Sequence, residues 1–155
     1  MEQIKQELSA VYQNGVNPLK EESQTLLVRF SDRPCISCLD DAFELLKPLA
    51  NDFREYVVVL HLDSALKCIS REIVHIGGLD SVRIDVRATF RNAIVQGSNS
   101  IIVAHNHPSG NSQPSAEDYA TTRDLVKAGT ILGIKIVDAI VFTEDRCTSF
   151  IGDCK

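Results

Sequence analysis

The chain has 155 residues, 44% of them apolar, with 16 basic residues against 21 acidic ones and a net charge of −5. One domain with a sizeable core is the simplest organisation at that length, and the acid excess argues against a broad nucleic-acid footprint, which normally appears as a basic domain. No stretch approaches the apolar length that crosses a bilayer. MEQIKQELSA lacks a signal-peptide apolar region, and five scattered cysteines suit reduced thiols better than a disulfide framework, so a cytoplasmic protein is expected.

In chain order, residues 2–13 carry Ile4, Leu8 and Val11 at helical spacing, and Asn14-Gly15 closes that element. Residues 1–24 are expected as a helical extension ahead of a domain spanning 25–155. TLLVRF (25–30) reads as a strand and residues 37–50 as a helix that Pro48 ends early. EYVVVLHLD (55–63) is nearly continuous in β-branched and apolar residues, the pattern of a buried strand. ALKCISREIVHIGG (65–78) reads as its hairpin partner across Asp63-Ser64. Residues 81–97 read as a helix with Gly97 as its stop, and Arg83, Arg87 and Arg91 fall on one face of it. That stripe is most simply solvated, with a phosphate or acidic partner as the sharper alternative. A central strand ending at His105, a helix from Ser115 to about Leu132, a strand at 134–143 and a short final strand in CTSFIG complete the order. Helices interspersed with hairpin-like strand pairs predict an α/β or α+β fold, a mixed sheet flanked by helices.

The chemistry concentrates in IIVAHNHPSGNSQPSAED, residues 101–118. Residues two apart on a strand share a face, so His105 and His107 point to one spot. Pro108 opens a loop, and Ser115 to Asp118 starts a helix that offers a carboxylate. Two imidazoles and a carboxylate are a typical three-ligand set for catalytic zinc, with a fourth position left for water. Ser115-Ala-Glu-Asp118 also reads as a capping box, and a cap would fix the loop that carries the ligand. A hydrolytic site needs a base as well. Glu55, at the start of YVVVLHL, is the candidate by type and setting, although pattern alone does not select it over Glu72 or Glu117. Cys35-Ile-Ser-Cys38 stands ahead of a helix like a redox pair, but a single CxxC is a weak signal. His61 and His75 lie in strand patterns and read as structural.

HNHPSG followed by PSAED is similar to the metal motif of the JAMM (MPN+) metalloprotease superfamily, which runs Glu, then His-x-His-Pro, then Ser-x-x-Asp. REYVVVLHLD, GSNSIIVAHNHPSG and AGTILGIKIVDAIVF narrow the resemblance to the RadC family, over about residues 36–152. The resemblance implies a JAMM/MPN fold with cytidine-deaminase-like layering, and one zinc ion held by His105, His107 and Asp118. It makes Glu55 the acid/base residue and places Ser115 to stabilise the oxyanion of a tetrahedral intermediate. The chain departs from many such sequences at Asp138-Ala139, where an Asp-His pair is common. The expected activity is zinc-dependent hydrolysis of a peptide or isopeptide bond in a protein or peptide substrate. The alternative is a RadC-type accessory protein of DNA metabolism that acts by binding, with a structural or vestigial metal site. DNA as a partner is not supported by the charge, no membrane association is expected, and the sequence does not give the oligomeric state.

Overall fold

The chain forms six strands and three α-helices in the computed structural model, which describes residues 27–77 and 84–152. The expected helix at 2–13, the extension over 1–24 and Arg83 lie outside the described residues. In chain order the elements are β1 (Leu27–Arg29), α1 (Leu39–Leu46), β2 (Glu55–Leu62), β3 (Cys68–Gly77), α2 (Val86–Gln96), β4 (Ser100–Asn106), α3 (Ala116–Leu132), β5 (Lys135–Phe142) and β6 (Cys147–Ser149). The strands make one mixed sheet in the order β1-β3-β2-β4-β5-β6. Only β4 and β5 run parallel, joined by α3 as crossover; the other pairs are antiparallel.

Alternation along the central strands gives the sheet two buried faces. Tyr56, Val58 and Leu60 of β2, with Ile102 and Ala104 of β4, pack against Ala42 and Leu46 of α1. Val57, Val59, Ile101 and Val103 point the other way, to Phe90 and Ala93 of α2 and Leu125 of α3. The result is a helix–sheet–helix sandwich, the JAMM/MPN-type layering expected from the sequence. It also explains why β2 and β4 read as continuous apolar runs: both of their faces are covered.

Local chemistry trims the elements relative to the periodicity. The helix expected over 37–50 ends at Leu46 and tightens into a 3₁₀ turn at Lys47–Leu49. Pro48 lacks an N–H and its ring clashes with the preceding helical turn, so the α-helix cannot pass it. The strand expected from residue 65 begins at Cys68, because Ala65 to Lys67 belong to the hairpin turn. There the Asp63 carboxylate accepts from the N–H of Ala65 and Lys67 at 2.9 and 3.0 Å. The helix expected from 81 starts at Val86, where Asp85 caps it by accepting from Arg87 N at 2.9 Å. Gly97 closes it in the left-handed region, φ 65°. The final strand stops at Ser149 instead of running to 152.

Candidate metal centre

β4 and β2 are neighbours, with Val57 opposite His105. The strand that starts at Glu55 therefore lies beside the strand that ends at the histidine pair, as a shared site requires. His107 is just past the end of β4, and its N–H still donates to Phe142 O of β5 at 3.0 Å. That bond keeps the chain extended for one more residue and leaves both imidazoles on one face. Ser115 caps α3. Its hydroxyl accepts from the Asp118 N–H at 3.2 Å, and both its own N–H and its hydroxyl donate to Asp118 Oδ2, at 2.6 and 2.7 Å. The capping box read from the sequence is thus formed, and it orients the carboxylate.

Three ligand-type atoms converge. His105 Nε2 lies 3.0 Å from His107 Nε2 and 3.1 Å from Asp118 Oδ1, and His107 Nε2 lies 4.0 Å from Asp118 Oδ2. Four-coordinate zinc with ligand bonds of about 2.0–2.1 Å separates its ligands by about 3.3 Å; both spacings from His105 come close to that, while His107 and Asp118 stand wider apart and would draw together around an ion. The tautomers fit as well. His107 Nδ1 donates to the Asn111 carbonyl at 2.7 Å, which leaves Nε2 of the neutral ring with its lone pair directed at the cluster. Partial burial pushes the Asp118 carboxyl up, but hydrogen bonds from His105 and Ser115 and the charge of His105 outweigh it and hold the group well below the usual carboxylate range. Among the described residues, these three are the only group of His, Cys, Asp and Glu side chains whose ligand atoms converge in this way.

The triad borders a cavity of about 130 Å³ that is also lined by Glu55, Val57, Ile84, Ser115, Glu117 and Thr121. The Glu55 carboxylate has no hydrogen-bond partner among the described residues, so it is open to whatever occupies the cavity. Of the two other acids that pattern left open, Glu117 also lines the cavity, whereas Glu72 is buried on β3 under α2, paired with His61 at 3.0 Å and accepting from Asn92. His61 is structural, as its strand pattern suggested. Ser115 reaches the cavity, but its single hydroxyl proton is directed at Asp118. Cys35 and Cys38 are free thiols, and the position where the α1 N-terminus would favour a thiolate is filled by the Asp41 carboxylate. Arg87 and Arg91 are exposed on α2, although Arg91 also approaches Glu72 at 3.9 Å.

Sequence reasoning missed several residues. Phe150 stands edge-on to His105 at 6.5 Å and to Tyr119 at 5.1 Å, forming an aromatic wall beside the triad. Buried Asp138 helps to place that wall: it accepts from Ser149 Oγ at 2.8 Å and Gly152 N at 3.3 Å, on either side of Phe150 and Ile151. Asn106, between the histidines, is fully buried and bonds across to β2. Of these, only Asp138 carried a signal, an acid inside an apolar strand.

A helix–sheet–helix sandwich with His-x-His at a strand end and Asp at a capped helix start defines a JAB-type domain. The chain belongs to the RadC-like JAB domain family, whose model matches residues 36–154. It is 37% identical over 145 residues to the UPF0758 protein of Methanococcoides burtonii, covering 87% of this chain and 63% of that protein. It is 36% identical over 115 residues to the UPF0758 protein of Methanosarcina mazei, covering 74% and 50%. A Listeria welshimeri UPF0758 protein is 38% identical over 115 residues, covering 74% and 51%. The chain thus spans between 50% and 63% of the length of these relatives.

Proposed function

We propose that this domain is a metal-dependent hydrolase that cleaves a peptide or isopeptide bond, with zinc held by His105, His107 and Asp118. The observation that carries this reading is the convergence of two imidazole Nε2 atoms and an ionised carboxylate on a cavity that also holds the open Glu55 carboxylate. Bound zinc supplies a Lewis acid for a carbonyl oxygen and lowers the pKa of a coordinated water to about 7. The chain supplies the rest. Glu55 accepts the proton of the attacking water and delivers it to the leaving nitrogen, since a carboxylate without other partners can both take up and release it. Ser115 and its cap hold Asp118 in place. Its hydroxyl assists the developing oxyanion by turning from Asp118 toward the substrate oxygen. Val57 and Ile84 give the cavity an apolar wall against the substrate backbone.

The charge of the site favours a peptide over a nucleic acid. Three carboxylates, Glu55, Glu117 and Asp118, line the cavity, and no Lys or Arg is among its described lining residues. Apart from the metal itself, the cavity offers a phosphodiester no cationic group among the described residues. No helix among the described residues is long and apolar enough to cross a membrane, and a reducing, cytoplasmic setting suits the free thiols.

The test is metal analysis paired with cleavage. Purified protein should bind about one zinc per chain, and zinc should switch on cleavage of a mixture of unstructured peptides. His107→Ala should lose both. Undiminished zinc in the His105→Ala/His107→Ala double variant sinks the site. Full zinc with no cleavage of any peptide, beside a salt-dependent shift of DNA on a gel, transfers the chain to the binding alternative.

A further inference from the structure

The candidate base and the candidate ligands sit on different strands, and the main-chain pairing that joins those strands ends at Val57 opposite His105. Past that rung a side chain takes over. Asn106 Oδ1 accepts from the Tyr56 N–H at 2.6 Å, and Asn106 Nδ2 donates to the Arg54 carbonyl at 2.8 Å. These are the backbone groups on either side of Glu55. Asn106 is fully buried, the bond to Tyr56 is buried with it, and the bond to Arg54 is part-buried.

We infer that Asn106 is a positioning residue: its carboxamide fixes the Glu55 backbone to the strand that carries both histidines, and so sets where the base stands over the metal site. The inference rests on the reading of Glu55 as the base. The chemistry explains the residue type. The two groups to be held are one donor and one acceptor, and a carboxamide offers one of each in a fixed plane. Aspartate keeps the acceptor but sets a second acceptor against the Arg54 carbonyl, and serine is too short to span both groups.

The segment around Glu55 is stiff for a second reason. Asp52 accepts from the Arg54 N–H and guanidinium at 2.9 to 3.1 Å, and also from the Tyr56 hydroxyl. Those bonds make the turn rigid within itself, but they join residues of the same short segment. Asn106 is what ties the rigid turn to β4. A base displaced by about 1 Å costs on the order of 100-fold in rate, which is the scale of effect at stake.

The experiment compares the parent chain with Asn106→Leu, which is close in size and removes both bonds, and with Gly129→Ala as a variant destabilised far from the cavity. Amide hydrogen exchange is read first, on metal-free protein. In Asn106→Leu the Tyr56 N–H, which loses its acceptor, should exchange about tenfold faster while Leu60, in mid-strand, is unchanged. Zinc content should stay at about one per chain. With zinc and a cleaved peptide, kcat should fall by about 10–100-fold with KM within about twofold. Gly129→Ala, whatever its loss of melting temperature, should keep kcat within about twofold. Unchanged Tyr56 exchange overturns the clamp. Faster exchange with unchanged kcat, or an equal loss of kcat in Gly129→Ala, overturns the positioning role. If the parent chain cleaves no peptide, the hydrolase reading falls with it, and the exchange result still decides whether Asn106 holds the Glu55 segment.

Discussion

Glu55 combines a pinned backbone with a carboxylate that has no partner among the described residues, and that combination makes its removal informative. Glu55→Gln is nearly isosteric and disturbs no hydrogen bond of the described residues, so folding and zinc content should stay at parental levels. Cleavage should drop by about 10²–10⁴-fold, the usual weight of a general base. A variant that retains full zinc and more than about a tenth of the parental kcat removes Glu55 from the reaction. This role was only half legible in the sequence. His105 and His107 were readable because their relation is local: two residues apart, at a strand end, before a proline. Ser115 and Asp118 were readable for the same reason, as a cap. Glu55 was one of three acids, and the fold removes one of them: Glu72 went to a buried pair with His61, whereas Glu117, in the exposed first turn of α3, still lines the cavity beside Glu55. Asn106 was not readable at all, because both of its bonds reach residues at least fifty positions away. An asparagine inside a motif carries no periodic signal.

At the level of elements, α3 connects the site to the core, and its two ends make opposite demands. At its N-terminus, Ser115→Ala removes a cap worth about 0.5–2 kcal/mol. It also leaves Asp118 without its hydroxyl partner, so zinc affinity should fall by about 10–100-fold as for other groups that orient a ligand. Titration with a zinc-sensitive dye checks the second effect apart from the first. Near the C-terminus, Gly129 packs so closely that an added Cβ would meet the Ile134 carbonyl at 2.5 Å and the Phe90 ring at 3.3 Å. In an exposed helix, Gly→Ala stabilises by about 1 kcal/mol. Here the neighbour is backbone and cannot yield cheaply, so Gly129→Ala should destabilise by about 1–3 kcal/mol in urea unfolding. A gain in stability refutes the close packing. The sequence presented Gly129 only as a poor helix former in a helical pattern, since the reason for it lies on the next strand. Strand and helix identities were legible throughout the described residues because both faces of the sheet are buried and the capping residues are strong. The boundaries were displaced wherever a side chain captured backbone groups, at Asp63 and Asp85 above all.

Across the whole molecule, the proposed metal site would link metal binding to folding, and Cys68 would report on the link. Its side chain is fully buried in the core between the sheet and α1, and burial pushes the thiol up to about 12 from 9.0. A raised folded pKa means stability that is complete below about pH 9 and drains away as pH rises toward 12, because the unfolded thiolate is the better anion. Below pH 9 the folded thiol is both inaccessible and protonated, so alkylation requires opening of the core. Cys35, exposed at the sheet edge, needs no opening. On the proposed reading zinc binds the folded triad in preference to the unfolded chain, so zinc at about 100 times its Kd should add up to about 2.7 kcal/mol to the folded state. At pH 8, with opening and closing fast relative to the reagent, zinc should therefore slow iodoacetamide labelling of Cys68 by about 100-fold while Cys35 keeps its rate. Peptide-resolved mass spectrometry reads both sites in one sample. In His107→Ala the zinc effect on Cys68 should vanish. Slowing that survives this substitution places the stabilising metal somewhere other than the triad. Equal slowing at Cys35 means that zinc is acting on the thiols themselves.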